Sequence, residues 1–324
     1  MSPRTRIVAL VAAAALVAVG VTLGVTVLSS EDDDGGSSVA DVRSGNPPLV
    51  LDLGVRTDTE AKALRRGQLL YSQGREARAA RAFAPFSSAQ ARIGQAFADW
   101  PAGSVARLER LGRRHPGSAV VQLHLGLVRF WAGRSDEAFT AWRAAVRADP
   151  DTASAVRAAD LLHPDTMHGL PPFVPGFSAP KRLGVLPPAR QLRELRRAAR
   201  GNDVRAKLLY GLALQRLLRP VSAERQYAAA AAIAPENVDA QVAAAVGRYR
   251  KEAPQRAFSR LGPLTRKFPR AATVRFHLGL LLLWLGRADD GKRQLQLARR
   301  LEPGSLYARE SFKLLNGLEG EEEK

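Results

Sequence analysis

The chain has 324 residues, 46% of them hydrophobic and only 6% aromatic, and a formal net charge of +18. Its apolar mass is mainly Ala, Leu and Val, which favours close-packed helices over a β-sandwich, and its length suffices for one large core or a stack of small ones. The absence of cysteine excludes disulfides, thiolate metal sites, a cysteine nucleophile and a lipoprotein anchor.

The first element in chain order is apolar. Ile7–Leu28 runs without a charge and is long enough to span a bilayer. Arg4 and Arg6 precede it and Glu31, Asp32, Asp33 and Asp34 follow it, which predicts a signal anchor with residues 1–6 in the cytoplasm and the remainder outside. A cleaved secretory signal is the alternative, with a small-residue site near Val27–Ser29. Both readings put residues 29–324 outside the cytoplasm and argue against nucleic acid as a partner, despite the charge. Residues 29–58 are rich in Gly, Ser, Asp and Pro and show no helical period, so a flexible linker is expected there.

From residue 59 onward, prolines mark out a period. Pro235, Pro269 and Pro303 are evenly spaced, Pro116 and Pro150 stand apart by the same interval, and each closes an Ala/Leu/Arg-rich stretch. Gly211, Ala245 and Gly279 repeat with that interval too, and Gly126 precedes Pro150 as each of them precedes its own proline. Between small residue and proline lie Ala223 and Tyr227, Ala138 and Trp142, or Ala257 and Leu261. Gly291 and Leu295 take these places in the last copy.

This pattern resembles the tetratricopeptide repeat, a helix–turn–helix unit of about 34 residues with a small residue on the first helix, A-x3-aromatic on the second and a closing proline. The match is strongest in the copies carrying Gly126, Gly211 and Gly279. It is weaker at Ala245, and at the copy ending in Pro116 only spacing supports it. The resemblance implies an all-α helical solenoid over roughly residues 60–318, resembling membrane-anchored bacterial proteins of this kind. Repeats are expected at 204–237, 238–271 and 272–305, preceded by repeat-like helices in 59–162 and followed by a capping helix and an acidic tail at 319–324.

Two near-identical phrases, HLGLVRFWAGR and HLGLLLLWLGR, begin at His124 and His277. That interval is four repeats and about half of a fifth, so half a repeat is inserted between them. The register places it in 163–188, where Pro164, Pro171, Pro172, Pro175, Pro180, Pro187 and Pro188 forbid continuous helix. The helices on either side, Thr152–Leu162 and Ala189–Arg200, read as the two helices of one repeat. The insertion is either a segment laid against the solenoid or a hinge between two blocks. Phe173, Val174, Phe177 and Leu186 favour the packed alternative.

No nucleotide-binding, hydrolase, zinc-protease or EF-hand motif occurs, and no catalytic residue, cofactor or metal site is expected. His163, Asp165 and His168 are close in sequence but lack a second pair of ligands. The site expected is a surface. The resemblance implies that first helices line the face that takes extended peptides. In the helices that carry the two phrases, Leu123, Leu127, Phe130 and Trp131, and likewise Phe276, Leu280, Leu283 and Trp284, fall on one helix face. These eight residues form the expected binding groove. The repeats between are more polar there, with Arg205, Gln215, Arg216, Asp239, Tyr249 and Arg250. The carboxylate-clamping Lys, Asn and Arg of some relatives are replaced by Leu, Val and Phe.

The function expected is a non-catalytic, membrane-anchored scaffold or adaptor that binds a protein or peptide partner in the cell envelope. The alternatives are a client-specific assembly factor, similar in architecture to those of cytochrome c maturation, or a binder of anionic lipid or cell-wall polymer through the arginine-rich second helices.

Overall fold

The computed structural model describes residues 45–322, with side chains through residue 318. The expected anchor at 7–28, most of the linker and the acidic tail's side chains lie outside the described residues. Among the described residues no helix is long and apolar enough to cross a membrane, and the chain is all α-helix and loop. It divides at 162/163 into two compact units.

The first unit contains α1 (Thr59–Ser72), α2 (Glu76–Phe83), α3 (Ala89–Ala98), α4 (Ser104–Arg114), α5 (Ala119–Trp131), α6 (Ser135–Ala148) and α7 (Ala153–Leu162). Successive helices pack as antiparallel pairs, and the first helices also pack on one another, α1 on α3, α3 on α5 and α5 on α7. Three pairs and a single closing helix result. No pair covers both its apolar faces alone, so stacking is what completes each core.

The second unit repeats the plan. It contains α8 (Lys181–Gly184), α9 (Pro188–Ala198), α10 (Val204–Arg216), α11 (Pro220–Ile233), α12 (Val238–Val246), α13 (Gln255–Lys267), α14 (Ala272–Trp284), α15 (Ala288–Leu301) and α16 (Leu306–Glu322). Here α10 packs on α12, α12 on α14 and α14 on α16. The middle pair has a short first helix in both units, 10 residues in α3 and 9 in α12.

Local chemistry explains the boundaries. Asp58, Ser88, Thr152, Asp203, Asn237 and Ser305 each accept the backbone N–H three residues on and so cap α1, α3, α7, α10, α12 and α16. The N-terminus of α14 is capped from a distance, Ala272 N–H donating to Glu302 at 3.0 Å. The closing prolines Pro150, Pro235, Pro269 and Pro303 sit in turns after second helices.

Within a pair the small residue of the first helix receives the large residue of the second. A Cβ at Gly126 would lie 2.3 Å from Trp142, and one at Gly211 would lie 2.4 Å from Tyr227. Gly67 meets Phe83 and Gly279 meets Leu295 in the same way. Ala138, Ala223, Ala245 and Ala257 are buried as well. Gly126 therefore lets Trp142 reach the opposite backbone, where its indole N–H donates to the Leu123 carbonyl at 3.2 Å.

Two expectations are corrected. The helices flanking the Pro-rich segment are not partners in one interrupted repeat. Helix α7 packs on α6 and α5 and closes the first unit, whereas α9 packs on α10. The half-repeat surplus is the entry segment of a second unit. The described end of the expected linker is not a free tether either. Leu49, Leu51 and Leu53 are buried, because their alternation gives an extended segment one apolar edge, and covering three leucines is worth about 2 kcal/mol each.

Candidate functional site

Each unit carries an extended strap laid across its first helices, held mainly through the strap's own backbone. In the second unit the strap spans 171–178. Gln215, at the end of α10, donates from Nε2 to the Pro171 carbonyl at 2.7 Å and accepts the Phe173 N–H at 3.1 Å. Val174 N–H donates to His277 Nε2 at 2.9 Å, and the one proton of the Tyr307 hydroxyl is shared between the Val174 carbonyl and Asp239 Oδ1, each at 3.2 Å. Arg205 donates to the Ser178 carbonyl at 2.7 Å and stands over the Phe177 ring. Upstream, the buried Lys251 ammonium donates to Met167 O and Thr166 Oγ1.

The first unit's strap spans 47–53. Tyr71 donates to the Pro47 carbonyl at 2.7 Å, Val50 N–H donates to His124 Nε2 at 3.2 Å, and Leu51 N–H donates to Gln68 at 3.0 Å. A histidine on the third first helix and a glutamine on the first are thus used in both units. Each strap opens with the same motif, Pro47-Pro48-Leu49-Val50 and Pro171-Pro172-Phe173-Val174. In both, the valine N–H meets the histidine and the large residue before it is buried, Leu49 at 6% exposure and Phe173 at 1%.

The histidine chemistry follows from the partners. His124 Nδ1 lies 2.7 Å from the Val120 carbonyl, and His277 Nδ1 lies 2.7 Å from the Thr273 carbonyl. A carbonyl only accepts, so Nδ1 carries the proton and Nε2 is left as the acceptor for the strap. Both rings are fully buried, against Phe97 in the first unit and against Phe173, Phe276 and Tyr307 in the second. Burial pushes both imidazoles down to about 4, partly opposed by the carbonyl on Nδ1. Burial also raises the hydroxyls of Tyr71, Tyr227 and Tyr307 and the carboxyl of Asp239, which accepts from Tyr307 at 3.2 Å.

The expected groove residues are placed differently from the expectation. Leu123, Leu127, Phe276, Leu280, Leu283 and Trp284 are buried in the cores of their units. Phe130 and Trp131 are half-buried, with Phe130 packed against Phe139 and Trp142. They do not form an open surface, because these helices have neighbours on several sides. The polar side chains between the two phrases matter more. Gln215 and Arg205 grip the strap, and Asp239 supports it through Tyr307.

The second strap lies within the segment that Phe173, Val174, Phe177 and Leu186 marked as packed, and all four are in or against the core; sequence reasoning missed the first strap and the likeness of the two. The signal was the recurrence of Pro-Pro-(Leu or Phe)-Val together with the recurrence of His. Among the described residues no group of three His, Asp or Glu side chains is arranged to hold a metal.

Helix pairs stacked through their first helices, with a small residue facing a large one, are the tetratricopeptide-repeat architecture. The described residues have that architecture. No protein-family model matches the sequence, and no curated protein matches it.

Solved structures similar to it include yeast Tom70, at 12% identity and TM-score 0.32 over 82% of this chain and 54% of that one. A tetratricopeptide repeat protein from Parabacteroides merdae matches at 10% and 0.33 over 80% and 98%. The Cut9–Hcn1 hetero-tetramer of the APC/C matches at 14% and 0.31 over 82% and 57%. The chain spans about half the length of the Tom70 chain it matches.

Proposed function

We propose that this protein is a non-catalytic scaffold that binds protein partners outside the cytoplasm, held at the membrane by the apolar segment 7–28. The observation that carries the reading is that both units hold an extended chain segment along their first helices through backbone hydrogen bonds. Contacts of that kind suit recognition of extended peptides. The charge flanking 7–28 supports the anchored orientation.

In-cell photo-crosslinking from exposed apolar positions tests this. Leu69, Val185 and Ile233 are 47%, 84% and 41% exposed, so a crosslinker there reports neighbours without disturbing a core. Discrete protein adducts are expected. Recovery of lipid or wall polymer alone would overturn the scaffold reading.

That outcome would favour the anionic-surface alternative, for which α9 offers a specific feature. Arg190, Arg193, Arg196 and Arg197 are all exposed along it, next to a single acidic residue, Glu194.

A further inference from the structure

We propose that each strap is a ligand in cis. The first-helix face it covers is a peptide site, and the segment it takes in trans is an extended partner chain carrying Pro-Pro-(Leu or Phe)-Val. This rests on the scaffold reading and names the partner's chemistry.

Three observations lead there. First, tetrapeptides that differ only at their third residue, Leu49 or Phe173, occupy both faces while their surroundings differ, LDLG following in one strap and PGFS in the other. Second, the contacts are those of sequence-selective peptide binding. The first proline's carbonyl and the valine N–H are hydrogen-bonded in both units, and one large side chain between them is buried. Backbone bonds give affinity and the alternate side chain gives selectivity. Two consecutive prolines already favour the extended conformation, which lowers the ordering entropy lost on binding. Third, Val50 is 36% exposed, so the first strap lies on its face with an edge open to solvent; its counterpart Val174 in the second strap is covered, at 2%.

A tethered ligand acts at an effective concentration in the millimolar range. A free peptide of micromolar intrinsic affinity is therefore masked while the strap is seated, and its apparent affinity falls by the fraction of molecules with the face open. The repeat of the arrangement gives one chain two such sites.

The test uses the full chain with residues 171–176 replaced by Gly and Ser of equal number. The probe is a fluorescein-labelled synthetic peptide of residues 170–178, followed by anisotropy. The strapless variant should bind in the micromolar range and the wild type at least about 100-fold more weakly. A peptide N-methylated at the valine lacks the N–H that His277 accepts, and should bind at least about 10-fold more weakly than its parent. A variant that keeps its helical circular dichroism and cooperative melt yet ignores the peptide overturns the proposal. So does equal binding of the methylated and parent peptides.

If the strapless variant does not fold, hydrogen exchange on the wild type decides. The Phe173 and Val174 amides should exchange through local opening, faster than core amides of α14; exchange only by global unfolding overturns the proposal. Peptide failure alongside protein crosslinks in cells removes this inference and leaves the scaffold reading. Peptide binding without such crosslinks keeps the face as the strap's own site and overturns both the partner in trans and the scaffold reading.

Discussion

Val174 gives its backbone N–H to Nε2 of His277 at 2.9 Å, and the ring's other nitrogen is engaged by the Thr273 carbonyl. Val50 and His124 repeat the arrangement in the first unit. A protonated imidazole would turn Nε2 into a donor facing a donor, so the folded state excludes the charged form. With an unfolded value of 6.5 and a folded value of about 4, each histidine contributes stability that is fully present above pH 6.5. That contribution is lost as pH falls from 6.5 through 4. The loss is about 3 kcal/mol per histidine. Asp239, whose carboxyl is raised by burial, works in the opposite sense in the second unit. Urea midpoints measured from pH 7 to pH 4 should fall steeply, and His277→Gln and His124→Gln should each flatten the profile while lowering the plateau. A midpoint independent of pH over this window would show that neither ring is held neutral.

Gln215 is the most connected side chain of the second strap. It accepts from Phe173 N–H at 3.1 Å and from the Tyr227 hydroxyl at 3.0 Å, and it donates to the Pro171 carbonyl at 2.7 Å. Gln215→Leu leaves two donors and an acceptor without their partner, which should cost about 2–4 kcal/mol. The loss should appear as a lower denaturation midpoint and as faster exchange of the Phe173 amide. A change smaller than the worth of one ordinary hydrogen bond, about 0.5 kcal/mol at its lowest, would mean that water replaces the glutamine without penalty.

The small-to-large contact inside each pair predicts a coupled pair of substitutions. Gly126→Ala puts a methyl 2.3 Å from the Trp142 ring and displaces the indole from the Leu123 carbonyl, at about 2–3 kcal/mol. Trp142→Leu makes room for it. In a double-mutant cycle the cost of Gly126→Ala should therefore shrink by at least about 1 kcal/mol in the leucine background. Strict additivity would contradict this packing.

The repeat class was legible in the sequence because the period is set by residues that cannot be exchanged freely, such as Gly126 against Trp142 and Pro235 after α11. The expected site was less legible. A helix apolar on all sides reads equally well as a binding surface or as a buried element, and Leu280 and Trp284 are buried. The first strap was hidden for a different reason, whereas the apolar residues of the second marked it as packed. An extended segment leaves no helical period, so 47–53 blended into a Gly/Ser/Asp-rich stretch and only the leucine alternation marked it. Trp284→Glu is accordingly expected to bury an unpaired charge and to abolish cooperative unfolding of the second unit, as limited proteolysis would show. A folded, protease-resistant Trp284→Glu variant would place that indole at the surface after all.

The turn between the helices of a pair gives the last prediction. Arg75, Arg134, Arg219 and Arg287 each donate their backbone N–H to the carbonyl five residues earlier, at 2.8–2.9 Å. Such a closure needs a left-handed residue just before the arginine. Gly74, Gly133 and Gly286 supply it with φ of 67°, 77° and 73°, but the turn from α10 to α11 uses Leu218 at φ 53°. A residue with a Cβ is strained there by about 1–2 kcal/mol, and Leu218 is only half-buried, so little packing offsets the strain. Leu218→Gly should therefore raise the stability of the second unit by about 1 kcal/mol, against the usual direction for glycine in place of leucine. The measurement is a urea titration of Leu218→Gly beside Leu217→Gly. The latter position precedes the left-handed residue and should lose stability, and a loss at both positions would show that the turn carries no strain at Leu218.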